Sequence, residues 1–97
     1  MAEIAFTKIQ RDLARHALGL PHKRKTSYRN YFVTGEGSID YPHWMAMVDM
    51  GAAQRRGGNA LTGGDDLFRL TRAGAEIALN DGEKLCQEDF PKEAKHA

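Results

Sequence analysis

A glycine-rich segment, GGNALTGGDD at residues 57–66, constrains the fold of this chain more than any other feature. Four glycines within ten residues do not sustain a helix or a buried strand, so the segment predicts a long surface loop. On either side, AAQRR at 52–56 and LFRL at 67–70 have the short pattern of strands, with Phe68 and Leu70 on one face. We therefore predict a β-hairpin of two strands with a long glycine-rich tip.

Apolar spacing and helix-terminating residues predict helices before and after this hairpin. The first covers residues 7–18, with Thr7 as its N-cap and Gly19 directly after its last turn. The second covers residues 40–50, and Thr71 caps the third. The residues predicted to face the core from these helices are Ile9, Leu13, Ala17, Leu18, Trp44, Met47, Val48, Ala73 and Ile77.

The segment between the first two helices, residues 26–34, fits two interpretations. Its sequence SYRNYFV is rich in strand-forming residues, whereas Tyr28, Tyr31 and Phe32 have the i, i+3, i+4 spacing of a helix face. We predict a short helix, with a strand as the alternative. Aromatic residues at this spacing are more typical of packing in a core than of exposure.

The chain of 97 residues is short enough that we expect one domain, over residues 1–84, and a modest core. Residues 85–97 are charged and lack a sustained period, which predicts a partly disordered tail. Within this tail we expect Leu85 and Phe90 to contact the domain.

Several function classes are disfavoured by composition. Cys86 is the only cysteine, which excludes an internal disulfide and a zinc site built on paired thiolates. The four histidines have no metal-ligand spacing, and Asp65 and Asp66 are too few carboxylates for a dedicated calcium site. The chain lacks a signal-peptide pattern and any run of about 18 apolar residues. We predict a non-catalytic cytoplasmic protein without a metal, a cofactor or a membrane partner.

The order helix, Gly51, strand, glycine-rich loop, strand, helix resembles the C-terminal half of a winged-helix domain. MVDMGAAQRR followed by LFRLTRAGAEIAL is similar to this part of bacterial transcriptional regulators, over roughly residues 44–79. The resemblance implies a small α+β fold with three or four helices and a two-stranded wing. In such regulators the helix before the hairpin enters the major groove, and cations at the wing tip contact phosphate.

This chain departs from that binding pattern. The corresponding helix, residues 40–50, contains no Lys or Arg and carries Asp40 and Asp49, while the wing tip carries Asp65 and Asp66. Phosphate repels carboxylates, so any contact with nucleic acid is predicted to lie elsewhere on the protein.

A second resemblance covers most of the chain. The runs RHALGLPHKRKTSYRNYFV and LTGGDDLFRLTRAGAEIAL resemble a family of small, uncharacterised proteins encoded in bacteriophage and prophage genomes. The family brings no assigned activity. The resemblance implies a phage-type accessory protein that acts in a bacterial cytoplasm.

Basic side chains are concentrated near the N-terminus. Residues 1–34 hold seven Lys or Arg and two acidic residues. Residues 35–97 hold seven Lys or Arg and eleven acidic residues. This split indicates a surface for a polyanion, which we predict to be DNA or RNA. Lys8, Arg11 and Arg15 are predicted to share one solvent-facing stripe that leads into the basic segment after the helix. The complete predicted contact set is Lys8, Arg11, Arg15, Lys23, Arg24, Lys25, Arg29 and Tyr28, the last stacking on an unpaired base.

The alternative is a phage factor that binds protein, as a monomer or homodimer, and inhibits or redirects a host defence or transcription complex. Methionine-rich surfaces adapt to partners, and an acidic wing offers charge. The residues predicted for this surface are Met45, Met47, Met50, Asp65 and Asp66. A structural role remains open for the two acids, one of which can instead pair with Arg55, Arg56 or Arg69.

Overall fold

A computed structural model describes residues 4–58, 63–87 and 89–90 of the chain. Part of the predicted wing tip, residues 59–62, and the end of the predicted tail, residues 91–97, lie outside the described residues. The elements in chain order are α1 (Lys8–Leu18), β1 (Phe32–Thr34), α2 (Tyr41–Asp49), β2 (Ala53–Arg56), β3 (Asp66–Leu70) and α3 (Arg72–Ile77). The predicted small α+β class is therefore confirmed.

The sheet has three antiparallel strands in the order β1-β3-β2. The predicted hairpin is present as β2 and β3, with Ala53 opposite Leu70. The prediction of a sheet with only two strands is wrong, because β1 pairs along the other edge of β3 and places Val33 opposite Leu67.

The predicted short helix within residues 26–34 is also wrong. Before β1 begins, the Asn30 side chain accepts a hydrogen bond from Leu70 N (2.9 Å) and donates one to Leu70 O (3.1 Å). This carboxamide continues the strand pairing that Phe32 then makes with Phe68. Hydrogen bonds to the distant strand β3 thus hold this segment in an extended conformation, although the spacing of its aromatic residues indicated a helix.

Helix α1 begins and ends close to where it was predicted. Thr7 and Gln10 form a capping box, with Gln10 N donating to Thr7 Oγ1 (3.1 Å) and Thr7 N donating to Gln10 Oε1 (3.0 Å). Gly19 has a φ of 79° after the last turn, a conformation that favours glycine. Of the predicted inward residues, Ala17 and Leu18 are buried and Leu13 packs against the core, whereas Ile9 is 52% exposed and the prediction for it is wrong. The buried residues of α1 are Gln10, Ala14, Arg15, Ala17 and Leu18.

Helix α2 supplies the centre of the core, as predicted. Trp44 and Met47 are completely buried, and Val48 is half-buried. The Trp44 ring stacks on Phe68 with 5.5 Å between centroids and lies 5.2 Å from Phe32. This aromatic cluster joins α2 to the inner face of the sheet.

Helix α3 packs through small residues. Thr71 caps it by accepting a hydrogen bond from Gly74 N (3.1 Å). The predicted inward residues Ala73 and Ile77 are exposed, and Gly74, Ala75 and Ala78 are buried instead. A Cβ at Gly74 would lie 2.9 Å from the carbonyl carbon of Ala52 and closer still to its oxygen. The absence of a side chain therefore lets α3 approach the start of β2.

The segment after α3 returns to the core. Phe90 is 6% exposed and belongs to the buried cluster, and Leu85 packs against it. Cys86 N donates to Ser27 Oγ at 2.8 Å. Among the described residues, no helix is both long and apolar enough to cross a membrane.

Candidate nucleic-acid interface

The basic loop, residues 22–27, connects the end of α1 to the extended segment before β1. Its turn is closed by a 2.8 Å hydrogen bond from Lys25 N to His22 O. The C-terminal segment then pairs with it, since Lys84 N donates to Lys25 O (2.8 Å) and Ser27 N donates to Lys84 O (2.9 Å). This pairing places the backbone of Lys84 beside the loop.

Four cationic residues consequently lie in the basic loop or in the segment paired with it. Lys23, Arg24 and Lys25 are exposed, as is Lys84. Lys84 is a residue that sequence reasoning missed, because it lies 59 positions after Lys25 and joins the loop through the bridge between Thr26 and Lys84. A loop held by backbone hydrogen bonds presents these charges from a defined surface.

Next to the basic loop lies the tyrosine cluster, which consists of Tyr28, Arg29 and Tyr31. The Arg29 guanidinium donates to His16 O at 2.7 and 3.2 Å, so it caps the C-terminus of α1. Its Cζ lies 5.4 Å from the Tyr28 ring centroid and 5.9 Å from that of Tyr31, within cation–π range. The two tyrosines are 55% and 52% exposed, so the packing prediction is right for Phe32 and wrong for both of them.

Arg15 is not part of a solvent-facing stripe, and that prediction is wrong. It is 8% exposed and donates to Ala78 O at 3.0 Å. Its two Nη atoms also bind both carboxylate oxygens of Glu83, at 2.5 and 2.8 Å. The hydrogen bonds from Arg15 lower the pKa of Glu83 to about 2. Arg15 therefore joins α1 to the segment after α3.

Arg11 and Lys8 are likewise occupied by contacts within the protein. Arg11 is half-buried and donates to Leu79 O (3.3 Å) and to the Asn80 side chain. Lys8 is exposed and forms an ion pair with Asp12 at 3.1 Å. Lys8 also starts α1, about 15 Å along the helix axis from the end that leads into the basic loop.

The sheet has an open face, defined by Val33, Gln54, Arg56, Leu67 and Arg69. Strand alternation points these residues away from the core-facing set that includes Phe68 and Leu70. Gln54 pairs across the strands with Arg69, and Arg56 with Leu67. Among the described residues, neither Arg56 nor Arg69 has a carboxylate oxygen within 4.0 Å. The sequence offered these two arginines only as partners for the wing acids.

A groove connects the tyrosine cluster to the open face. It has a volume of about 580 Å³ and is lined by Tyr28, Arg29, Asn30, Tyr31, Leu67, Arg69 and Asp89. A second groove, of about 490 Å³, shares Leu67 and Arg69 with the first and extends to Arg56. Asp89 contributes the one carboxylate among the described residues that line these two grooves.

Asp65 and Asp66, the two acids of the β2–β3 hairpin, have different environments. Asp66 Oδ2 accepts hydrogen bonds from Tyr41 Oη and Arg55 Nε, both at 2.7 Å, and Oδ1 accepts one from Gly58 N at 3.1 Å. The hydrogen bonds from Arg55 and, to a smaller extent, Tyr41 lower the pKa of the Asp66 carboxyl. The hydrogen bond from Tyr41 to Asp66 also raises the pKa of the Tyr41 phenol. The alternative in which a wing acid pairs with Arg55 is therefore confirmed for Asp66. Asp65 is exposed.

The predicted methionine surface is incomplete. Met47 is fully buried, which contradicts its place on a partner-binding surface, whereas Met45 and Met50 are half-buried against the core. Asp66 is also withdrawn from that surface, because its carboxylate is occupied by Tyr41 and Arg55 at the start of β3.

Within the ranges that the structure describes, no three His, Cys, Asp or Glu side chains come together as a potential metal site. Comparison with protein-family models, with curated proteins and with solved structures finds no match for this chain.

Proposed function

We propose that this protein is a non-catalytic, phage-type accessory protein that binds nucleic acid through the basic loop, Lys84 and the tyrosine cluster. One observation carries the proposal: backbone hydrogen bonds hold the Lys84 backbone against Lys25, so that four exposed cationic residues belong to one loop and its paired segment, next in the chain to the exposed Tyr28 and Tyr31. Cations supply affinity for the phosphate backbone, and aromatic rings supply stacking surface.

The acid that directly precedes Lys84 does not cancel its charge. Glu83 directly precedes Lys84, but its carboxylate is 7% exposed and bound by Arg15. The cation that neutralises it is buried in α1, so the four surface cations are left to face solvent. The proposed contact set is Lys23, Arg24, Lys25, Lys84, Arg29, Tyr28 and Tyr31.

A winged-helix-like arrangement is the second part of the proposal. The order α2, β2, glycine-rich loop, β3, α3 supports it, because α2 ends directly before the hairpin. Insertion of α2 into a major groove does not belong to the proposal. This helix contains no Lys or Arg, and it exposes Asp49. The basic loop takes the role that the recognition helix has in the regulators.

Three identical Lys→Gln substitutions test this proposal. Lys23→Gln and Lys84→Gln should each weaken binding of a labelled single-stranded oligonucleotide about threefold and reduce the log–log salt slope by about 0.7. Lys8→Gln is the matched control, since it removes the same charge from an exposed lysine outside the loop. Fluorescence anisotropy at several salt concentrations measures both quantities.

The wild-type slope should be about −3 if four phosphates are contacted. Equal losses from all three variants would contradict the proposal, because they would report net charge rather than a site. Absence of binding at low salt would contradict it outright.

A protein partner is the second candidate, favoured by Ile39. This side chain is 84% exposed and lies two residues before the start of α2. An exposed apolar side chain at this place is available for contact with a protein partner of a phage factor directed at a host complex. In nuclease-treated bacterial lysate, capture of a host protein that Ile39→Ser abolishes and Lys23→Gln leaves intact would favour this candidate over nucleic acid.

A further inference from the structure

We infer that the nucleic acid bound by this protein is an unpaired strand that crosses the open face of the sheet, from the tyrosine cluster to Arg56. The inference rests on the proposed function and assigns its ligand class. It adds Arg69 and Arg56 to the contact surface, two residues that the sequence pattern did not connect to the basic segment.

The tyrosine cluster favours unpaired bases. Tyr28 and Tyr31 are each more than half exposed, and Arg29 lies within 6 Å of both ring centroids while it is held by His16 O. A tyrosine held beside a fixed guanidinium loses little conformational freedom when a base stacks on its outer face. The bases of a duplex are already stacked on each other, so only an unpaired strand uses these rings.

The groove gives such a strand a path. Leu67 and Arg69 line both the part that starts at Tyr28 and the part that ends at Arg56. Three strands at a spacing of about 4.8 Å make this path roughly 10 Å wide from β1 to β2, the length of about three stacked nucleotides. Val33 and Leu67 provide an apolar floor between the cationic side chains.

Charge complementarity identifies the occupant as a polyanion. Arg56 and Arg69 are exposed, and the described residues place no carboxylate within ion-pairing distance of either. Asp89 opposes an anion at the groove wall, where it lies beside the buried Phe90. Among the described residues, the groove therefore combines two arginines that have no carboxylate partner and attract phosphate with Asp89, which limits affinity.

Four variants of the full chain test the inference, with a labelled ten-nucleotide oligothymidylate and a duplex of the same length as probes. Tyr31→Ser should weaken single-strand binding about tenfold and leave duplex binding within about twofold. Arg69→Gln should weaken it about threefold. Asp89→Asn should strengthen it about twofold, while the matched change Asp49→Asn on α2 should have no effect. Circular dichroism verifies that each variant is folded.

Two failures are distinguishable. If the wild type binds neither probe, the proposed function fails and the inference with it. If it binds duplex as tightly as single strand, and Tyr31→Ser and Asp89→Asn change nothing, the inference is overturned while binding through the basic loop stands. Equal competition by polyglutamate of matched charge would identify an acidic protein surface as the occupant and would also overturn the inference.

Discussion

Glu83→Gln is expected to lower the free energy of unfolding by about 3 kcal/mol, at the low end for loss of one partner from a buried ion pair. The substitution keeps the shape of the side chain and leaves the Arg15 guanidinium, which is 10% exposed, without its counter-charge. Arg15 also donates to Ala78 O, so the loss affects the contact between α1 and α3. Urea denaturation at neutral pH measures the change.

The exposed pair of Lys8 and Asp12 provides the control. Asp12→Asn removes a carboxylate from an ion pair at 3.1 Å whose side chains are 89% and 62% exposed, and should change stability by less than about 0.5 kcal/mol. If Asp12→Asn and Glu83→Gln changed the free energy of unfolding by similar amounts, the result would contradict the burial of the ion pair between Arg15 and Glu83.

The same ion pair predicts a specific pH dependence. The pKa of Glu83 is about 2, below its usual 4.5, so its contribution is present above pH 4.5 and is lost as the pH falls towards 2. Between these values the wild type should lose more stability than Glu83→Gln does. If the free energy of unfolding of the wild type and of Glu83→Gln changed in parallel with pH, the Glu83 carboxylate would have to be exposed to solvent.

Gly74→Ala is expected to destabilise the protein by about 2 kcal/mol, although alanine is normally the better helix residue. The new Cβ would lie 2.9 Å from the carbonyl carbon of Ala52, whose oxygen accepts a hydrogen bond from Thr71 N at 2.9 Å. Backbone blocks the methyl group, so α3 has to move away from β2. Thermal and urea denaturation measure the loss.

Gly57→Ala is the matched control for this substitution. A Cβ there meets no heavy atom within 4 Å of those considered, and the backbone is outside the left-handed region. It should change stability by less than about 0.5 kcal/mol. A Gly74→Ala protein as stable as Gly57→Ala would show that α3 packs differently from this description.

The elements could be predicted where local signals govern them. Thr7, Gly19 and Thr71 set helix ends through contacts within a few residues, and the hairpin follows from the glycine-rich segment between two short strands. β1 could not be predicted from local signals in the same way. Its pairing depends on Leu70 and Leu67, more than 30 positions away, whereas the spacing of its aromatic residues indicated a helix.

The candidate site was predicted only in part, because charge in a sequence carries no information about burial. Arg15 has the helical position of a surface cation, yet Glu83, 68 positions later, draws it into the protein. Conversely, Lys84 and Arg69 join the proposed surface through strand pairing alone. The basic loop could be recognised in the sequence as a run of cations. The addition of Lys84 to it, and the burial of Arg15 by Glu83, depend on tertiary structure.

An NMR titration tests the central claim most directly. Unlabelled oligothymidylate is added to ¹⁵N-labelled protein, and backbone amide shifts are followed to saturation at low salt. We predict that the shifts are concentrated in the basic loop, at Tyr28–Tyr31 and at Leu67–Arg69, and are absent from the exposed face of α2. No shifts at saturating oligonucleotide, or shifts centred on Pro42–Asp49, would contradict the account.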